Sequence, residues 1–363
     1  MTIRPRLSLL NPELQRPSAL QSQPRDPALI WLDKNENLDT ELMALSHQVL
    51  ATLPADVLAT YPEAGALYRK LGAWAGVSPD SLLLTPGSDG TIRLVYEAFV
   101  EAGEGVIFTE PTFAMYPVYA QMFGAQAKPQ RYEKGPDGPV MNLPQLMARI
   151  GQEQPKLVCL PNPESPTGTV LSQANLRLLL GCCESAGTVL LIDEAYHPFF
   201  AETVAPWTAE SHNLIVARTF AKAWGVAGLR VGYAIAHPQT IALMHKMRPM
   251  YEVSTLATEF MVRMLDHADA MQASVVRTLA GKDYFARSMR ALGFTVLNNE
   301  GNFLHVGFGN SGPAVHAALK GHVLYRAGFD MSCLAGFSRF SMAPQHILEP
   351  VVAIIEHANR GTA

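Results

Sequence analysis

With 363 residues, 48% of them hydrophobic and 17% charged, the chain can bury a sizeable core, as one large domain with a smaller one or as two domains, and disorder is not expected. A formal net charge of −4 argues against a nucleic-acid partner, and the lack of any apolar run of roughly 18 residues indicates no membrane span. The start, Met1-Thr2-Ile3-Arg4-Pro5-Arg6, has no long apolar stretch after its arginines, so a signal peptide is not expected and a cytoplasmic enzyme is the default; Cys159, Cys182, Cys183 and Cys333 show no zinc-like pairing and are read as reduced packing residues.

The first forty residues are irregular and proline-containing, and are expected to form an arm. From about residue 80 to 240, apolar runs at 81–84, 106–109, 157–160, 189–193, 214–218 and 231–236 read as strands. Helix-like stretches such as 90–100 and 172–185 separate them, and 238–247 follows. Strands separated by helix-length crossovers predict an α/β fold with a mostly parallel, doubly wound sheet, whose post-strand turns share one edge where a ligand binds. Beyond it, a long helix-like stretch covers 256–292. Short strands follow at 294–297, 302–306 and 337–342, then a closing helix at 349–358 with Pro350 in its first turn, where proline is tolerated. This predicts an arm and part of a small domain at 1–44, a large domain at 45–255, and a small α+β domain at 256–363.

Chemistry concentrates in the turns. Lys222 follows the strand Leu214-Ile215-Val216-Ala217-Arg218, with Thr219 three residues before it and Arg230 eight after. A lysine there can lose its proton when desolvated or placed beside other cations, and can then form a Schiff base with a carbonyl. Thr219 and Arg230 could hold a phosphate, and the set points to pyridoxal 5'-phosphate (PLP). Thr85-Pro86-Gly87-Ser88-Asp89-Gly90 is a glycine turn entering a helix, a place where backbone N–H groups bind anions. In Pro111-Thr112-Phe113 the aromatic can stack on a pyridine ring. Leu190-Leu191-Ile192-Asp193 delivers a carboxylate that can pair with a pyridine nitrogen, and Tyr196 lies within reach of the ring's phenolic oxygen. Asn162-Pro163-Glu164-Ser165-Pro166-Thr167-Gly168 is a rigid turn whose polar side chains, Asn162 or Ser165, could hold that oxygen.

On these motifs, and above all on Asp193-Glu194-Ala195-Tyr196, Thr219-Phe220-Ala221-Lys222-Ala223 and Gly228-Leu229-Arg230-Val231-Gly232, the chain resembles the fold type I PLP-dependent aminotransferases of class I/II, specifically the histidinol-phosphate aminotransferase group. The resemblance runs from Asp33-Lys34-Asn35-Glu36-Asn37 to Arg339. It implies that the large domain binds the cofactor and that Lys222 carries it as a Schiff base and shuttles the 1,3-proton. It further implies that Asp193 pairs with the pyridine nitrogen, Tyr196 bonds the phenolic oxygen, and Phe113 stacks on the ring. Ser88, Asp89, Thr219 and Arg230 would hold the phosphate. Tyr61, in Tyr61-Pro62-Glu63, would reach the phosphate of a neighbouring subunit, so a homodimer with shared sites is implied. Asn37 and Arg339 would bind substrate, Arg339 forking onto the carboxylate, and Arg326 would meet a distal anionic group. Departures from the family pattern are Ser165 for asparagine, Ala221 for a common serine, Leu38 for proline, and an arm without the expected tyrosine.

The activity implied is transamination between histidinol phosphate and 2-oxoglutarate, an amino donor and a 2-oxo acid. The alternatives are an aminotransferase for aromatic or other amino acids, or a threonine-phosphate decarboxylase-like PLP enzyme. A regulator's sensor module would need a basic recognition helix, and a Rossmann dehydrogenase would need G-x-G-x-x-G. Neither is present. No metal site is expected.

Overall fold

The computed structural model describes residues 5–12, 14, 23–297 and 299–360. Parts of the expected arm (1–4, 13 and 15–22) and of the expected C-terminal segment (298 and 361–363) lie outside the described residues. The strands, in chain order, are β1 (Ile30–Trp31), β2 (Leu82–Thr85), β3 (Gly105–Glu110), β4 (Gln126–Gly135), β5 (Gly138–Met141), β6 (Leu157–Pro161), β7 (Val189–Asp193), β8 (Leu214–Thr219), β9 (Gly232–Ala236), β10 (Thr295–Val296), β11 (Phe303–Gly307), β12 (Val323–Leu324) and β13 (Phe337–Ser341).

One eight-stranded sheet runs β2-β9-β8-β7-β6-β3-β4-β5. Strands β8, β7, β6, β3 and β4 are mutually parallel. Strand β9 is antiparallel to both its neighbours, so β2 points with the parallel set, and β5 turns back from β4. Side chains alternate between two cores. Leu190, Ile192, Leu214 and Val216 pack on one face, and Leu191, Ile215 and Ala217 on the other. Both faces are therefore covered, and these strands read as continuous apolar runs rather than as alternation. Helices Gly87–Phe99 and Met115–Phe123 cover one face, and Leu143–Glu153 and Gln173–Ser185 the other. Cys159 and Cys183 are core packing residues.

Strands β10, β11 and β13 form an antiparallel sheet, and β1 pairs in parallel with β12. Leu32 shares a third core with Phe285, Leu304, Phe340 and Val351. The N–H of Leu32 donates to Leu324 O, and that of Ser341 to Leu32 O (2.7 and 2.9 Å). These bonds carry residues 33–37 back across the edge of the large sheet.

Several elements differ from expectation. The helix over 256–292 is two helices, Thr255–Met264 and Ala268–Ala291, joined by the 3₁₀ turn Leu265–His267. Met264, Leu265 and Met271 are all buried across the break, so the apolar pattern does not show it. The closing helix is Gln345–Arg360, and Pro350 lies inside it rather than in its first turn. Pro350 and His346 are exposed, so the carbonyl left without an N–H partner faces water. The β4–β5 hairpin was not expected at all. Among the described residues, no helix is long and apolar enough to cross a membrane.

Candidate active site

Strands β2, β3, β6, β7 and β8 all end on one edge, so the turns that follow them meet there. Gly232, the first residue of β9, pairs with Thr85 and Thr219, the last residues of β2 and β8. Arg230, two residues earlier, is thus brought to the same edge. A cavity of about 920 Å³ opens here. Its lining includes Ser88, Asp89, Phe113, Ser165, Asp193, Tyr196, Thr219, Lys222, Arg230, Arg326 and Arg339. Lys34, Asn35 and residues 328–331 also line it.

Asp193 ends β7 and is buried. Its carboxylate accepts from the Tyr116 hydroxyl (3.1 Å) and the Ala195 N–H (3.0 Å). Burial outweighs these donors and pushes its pKa up to about 7. The next residue, Glu194, pairs with buried Arg218 (2.8 Å) and accepts from the Thr203 hydroxyl and the Val204 N–H. That pair fixes the start of the turn that carries Tyr196.

Lys222 follows β8 by three residues, and its Nζ donates to Lys34 O at 2.7 Å. The side chain is half-buried, and desolvation followed by repulsion from Arg339 brings its pKa down to about 8. Desolvation and a neighbouring cation were the two causes expected from its position. The Nζ lies 6.0 Å from the Tyr196 ring centroid.

At the other end of the cavity, Ser88 and Asp89 stand in the first turn of helix Gly87–Phe99, where backbone N–H groups lack intrahelical partners. Gly87 has φ +76°, and a Cβ there would lie 2.7 Å from Arg230 Nη2. The guanidinium therefore packs directly on the glycine turn. Arg230 itself takes φ +54°. The Thr219 hydroxyl accepts from the Ala221 N–H (3.1 Å). Asp89 accepts from the Tyr119 hydroxyl (3.0 Å), so its backbone rather than its carboxylate suits an anion.

Arg339, on β13, donates from Nη2 to Asp33 O (3.1 Å) and lies 5.5 Å from the Phe303 ring centroid. Its buried Nε has no hydrogen-bond partner among the described residues. An orphaned guanidinium donor beside a cavity is one that an anion can complete. Arg326 exchanges backbone hydrogen bonds with Arg339 (3.0 and 2.9 Å), while its side chain makes no hydrogen bond or ion pair among the described residues. Phe113 stands at the rim, edge-on to Tyr116.

Two expected contacts do not reach the cavity. Asn37 spends its amide on Ala223 O (2.9 Å) and Ser274 Oγ (3.0 Å), tying residues 33–37 to the Lys222 turn from behind. Asn162 accepts from the Leu171 N–H (2.8 Å) and donates to Leu171 O (3.4 Å), which closes its own loop and leaves Ser165 as the member of that pair that lines the cavity. Tyr61 is 75% exposed, outside this chain's cavity, and stacks on Tyr251 (4.6 Å).

Sequence reasoning missed several residues. Asn35, at φ +55°, donates to the Tyr196 hydroxyl (2.8 Å) and accepts from Ser341 Oγ (3.1 Å). Tyr116 supports Asp193. Glu164 is fully buried and accepts from the hydroxyls of Thr109 and Thr112 and from the Ser165 N–H, and burial holds its pKa well above the carboxylate range.

The donor set suits PLP: an anion cradle with Arg230 at one end, a buried acid for a ring nitrogen, and between them a lysine of depressed pKa. Residues 27–355 match the family model described as aminotransferase class I and II. A histidinol-phosphate aminotransferase of Caldanaerobacter subterraneus subsp. tengcongensis is 26% identical over 86% of this chain and 88% of its own. The histidinol-phosphate aminotransferase 2 of Ralstonia nicotianae is 34% identical over 79% and 76%. Among solved structures, the histidinol-phosphate aminotransferase of Sinorhizobium meliloti in complex with pyridoxal-5'-phosphate superimposes with a TM-score of 0.79 at 22% identity, covering 95% of this chain and 97% of that one. The chain belongs to the class I and II aminotransferases.

Proposed function

We propose that this enzyme transfers the amino group of histidinol phosphate to 2-oxoglutarate, using PLP held at Lys222. One observation carries the reading: Asp193 at the end of β7, Lys222 in the turn after β8 and Arg339 within β13 converge on a single cavity. Bound PLP supplies a carbonyl that condenses with amines and a ring that withdraws electrons. The remaining roles fall to the chain's own side chains.

Ser88 and Asp89 N–H groups, Thr219 and Arg230 bind the phosphate. The Asp193 carboxylate accepts from the ring nitrogen, and positive charge there favours its ionised form. Tyr196 and Ser165 face the ring's hydroxyl oxygen. Lys222 Nζ, with its depressed pKa, would take the proton from the substrate α-carbon and return it two atoms away, the 1,3-proton shift. Arg339 Nε and Nη atoms clamp the carboxylate of the oxo acid. The unpartnered Arg326 side chain meets the phosphate at the distal end of the amino donor.

Tyr61 is assigned to the phosphate of a second subunit. Leu58, Tyr61 and Met250 expose 81%, 75% and 78% of their surfaces, and a homodimer would cover such an apolar patch. The free thiols of Cys159, Cys182, Cys183 and Cys333 suit a reducing cytoplasm. The test is spectroscopic. The purified protein is titrated separately with histidinol phosphate, glutamate and phenylalanine while the visible band of bound PLP is followed. Loss of the band with histidinol phosphate and glutamate supports the reading. Loss with phenylalanine and not with histidinol phosphate refutes the substrate.

A further inference from the structure

Lys282 lies in helix Ala268–Ala291 with 8% of its surface exposed. No carboxylate is ion-paired with it among the described residues; Glu300 and Asp283 act on it only at a distance. A lysine is rarely buried so deeply without a charged partner. Its Nζ donates instead to two backbone carbonyls, Asn299 O (2.5 Å) and Gly301 O (2.9 Å).

The turn that it holds faces the active site on its other side. Asn299 Nδ2 donates to Thr167 O (2.5 Å), and the Glu300 N–H donates to Gly168 O (2.8 Å). Gly301 takes φ +84°, and a Cβ there would lie 3.2 Å from the Tyr196 ring. The turn thus bears on Tyr196 and on the loop that carries Ser165. These two residues are assigned to the hydroxyl oxygen of the PLP ring.

We propose that Lys282 is a positioning residue: by pulling the carbonyls of residues 299 and 301 toward one ammonium, it sets Tyr196 and the 165–168 loop against the cofactor. This rests on the PLP reading above. Carbonyls in a tight buried turn need donors, and an ammonium offers three N–H groups. An apolar side chain would leave both carbonyls unpaired, so the turn would relax toward water. Burial brings Lys282 down to about 8, so the charge is kept against a desolvation cost.

The test uses the holoenzyme with Lys282→Met, Lys282→Arg and Gly301→Ala. Lys282→Met should shift the pH midpoint of the visible PLP band and weaken PLP retention by about ten-fold, the scale of one charged hydrogen bond. Lys282→Arg keeps a charged donor and should restore both. Gly301→Ala leaves the ammonium in place but presses on Tyr196, and should move the same midpoint. A Lys282→Met enzyme with a lowered Tm but a wild-type midpoint and wild-type retention overturns the proposal. If that variant does not fold, an unmoved midpoint in Gly301→Ala overturns it. A wild-type protein with no PLP band overturns the cofactor reading and this proposal together, whereas a wild-type band that both variants leave unmoved overturns this proposal alone.

Discussion

Asp193→Asn separates the cofactor role from a role in stability. The carboxylate is held by the Tyr116 hydroxyl and the Ala195 N–H at 3.1 and 3.0 Å. An asparagine can keep both contacts, because its oxygen accepts from Ala195 and its amide donates to the tyrosine hydroxyl, which also accepts. What disappears is the negative charge facing the ring nitrogen. An opposite charge at that range raises the pKa of a protonated ring nitrogen by about 1–3 units, at about 1.4 kcal/mol each. If that protonation is needed in the transition state, kcat/KM falls by about ten-fold to a thousand-fold. Stability should move the other way. Burial raises the native pKa of Asp193 to about 7, above its unfolded value. Between those two values the native state binds more protons than the unfolded state, so the carboxylate lowers stability as pH rises through that window, and the full cost is present above about pH 7. The neutral asparagine has no such cost, so the cofactor-free variant at pH 8 should melt at or above the wild-type temperature. The assays are steady-state kinetics and thermal unfolding without cofactor. Wild-type kcat/KM, or a Tm several degrees below wild type at pH 8, would refute the reasoning.

Three further outcomes follow from the same geometry. Lys222 titrates near 8, and only its neutral amine attacks; the rate at which the cofactor-free enzyme captures PLP should rise about ten-fold from pH 7 to 9 and then level off, whereas a continued ten-fold rise per unit toward pH 10 would mean an unperturbed lysine. Gly87→Ala places a Cβ 2.7 Å from Arg230 Nη2 at φ +76°, so PLP affinity should drop by about ten-fold or more in an equilibrium titration, a loss of at least about 1.4 kcal/mol. Glu194→Gln leaves Arg218 buried with an uncompensated charge 2.8 Å from its former partner; denaturant unfolding should show a loss of about 3–5 kcal/mol, and an unchanged midpoint would show that the pair contributes nothing.

The sheet was legible because its central strands are apolar on both faces and stop at polar residues. Leu190, Leu191 and Ile192 run straight into Asp193, so β7 has the expected bounds. The β4–β5 hairpin was not legible. Gln126–Gly135 carries lysines, an arginine and a glutamate at the sheet margin, which is how such margins resist aberrant pairing, and it shows no apolar run. Helix Met115–Phe123 has no side-chain N-cap bond to announce it, and Tyr116 went unseen with it. Asn35 and Asn37 are the same residue type two positions apart. Only the backbone separates them, since φ +55° at Asn35 accompanies its bond to Tyr196 while Asn37 turns to Ala223. In the loop 162–168, composition suggested a polar turn, but the loop is largely buried: Asn162 closes it, Glu164 anchors it, and Ser165 alone of the pair considered lines the cavity.

The central claim is that Lys222 carries the cofactor. Reduction of the PLP-loaded protein with sodium borohydride, followed by proteolysis and peptide mass mapping, tests it directly. The account predicts a phosphopyridoxyl group on Lys222 and on no other lysine, abolished in Lys222→Ala. A label on Lys34 or Lys282, or no label despite a visible PLP band, would contradict it.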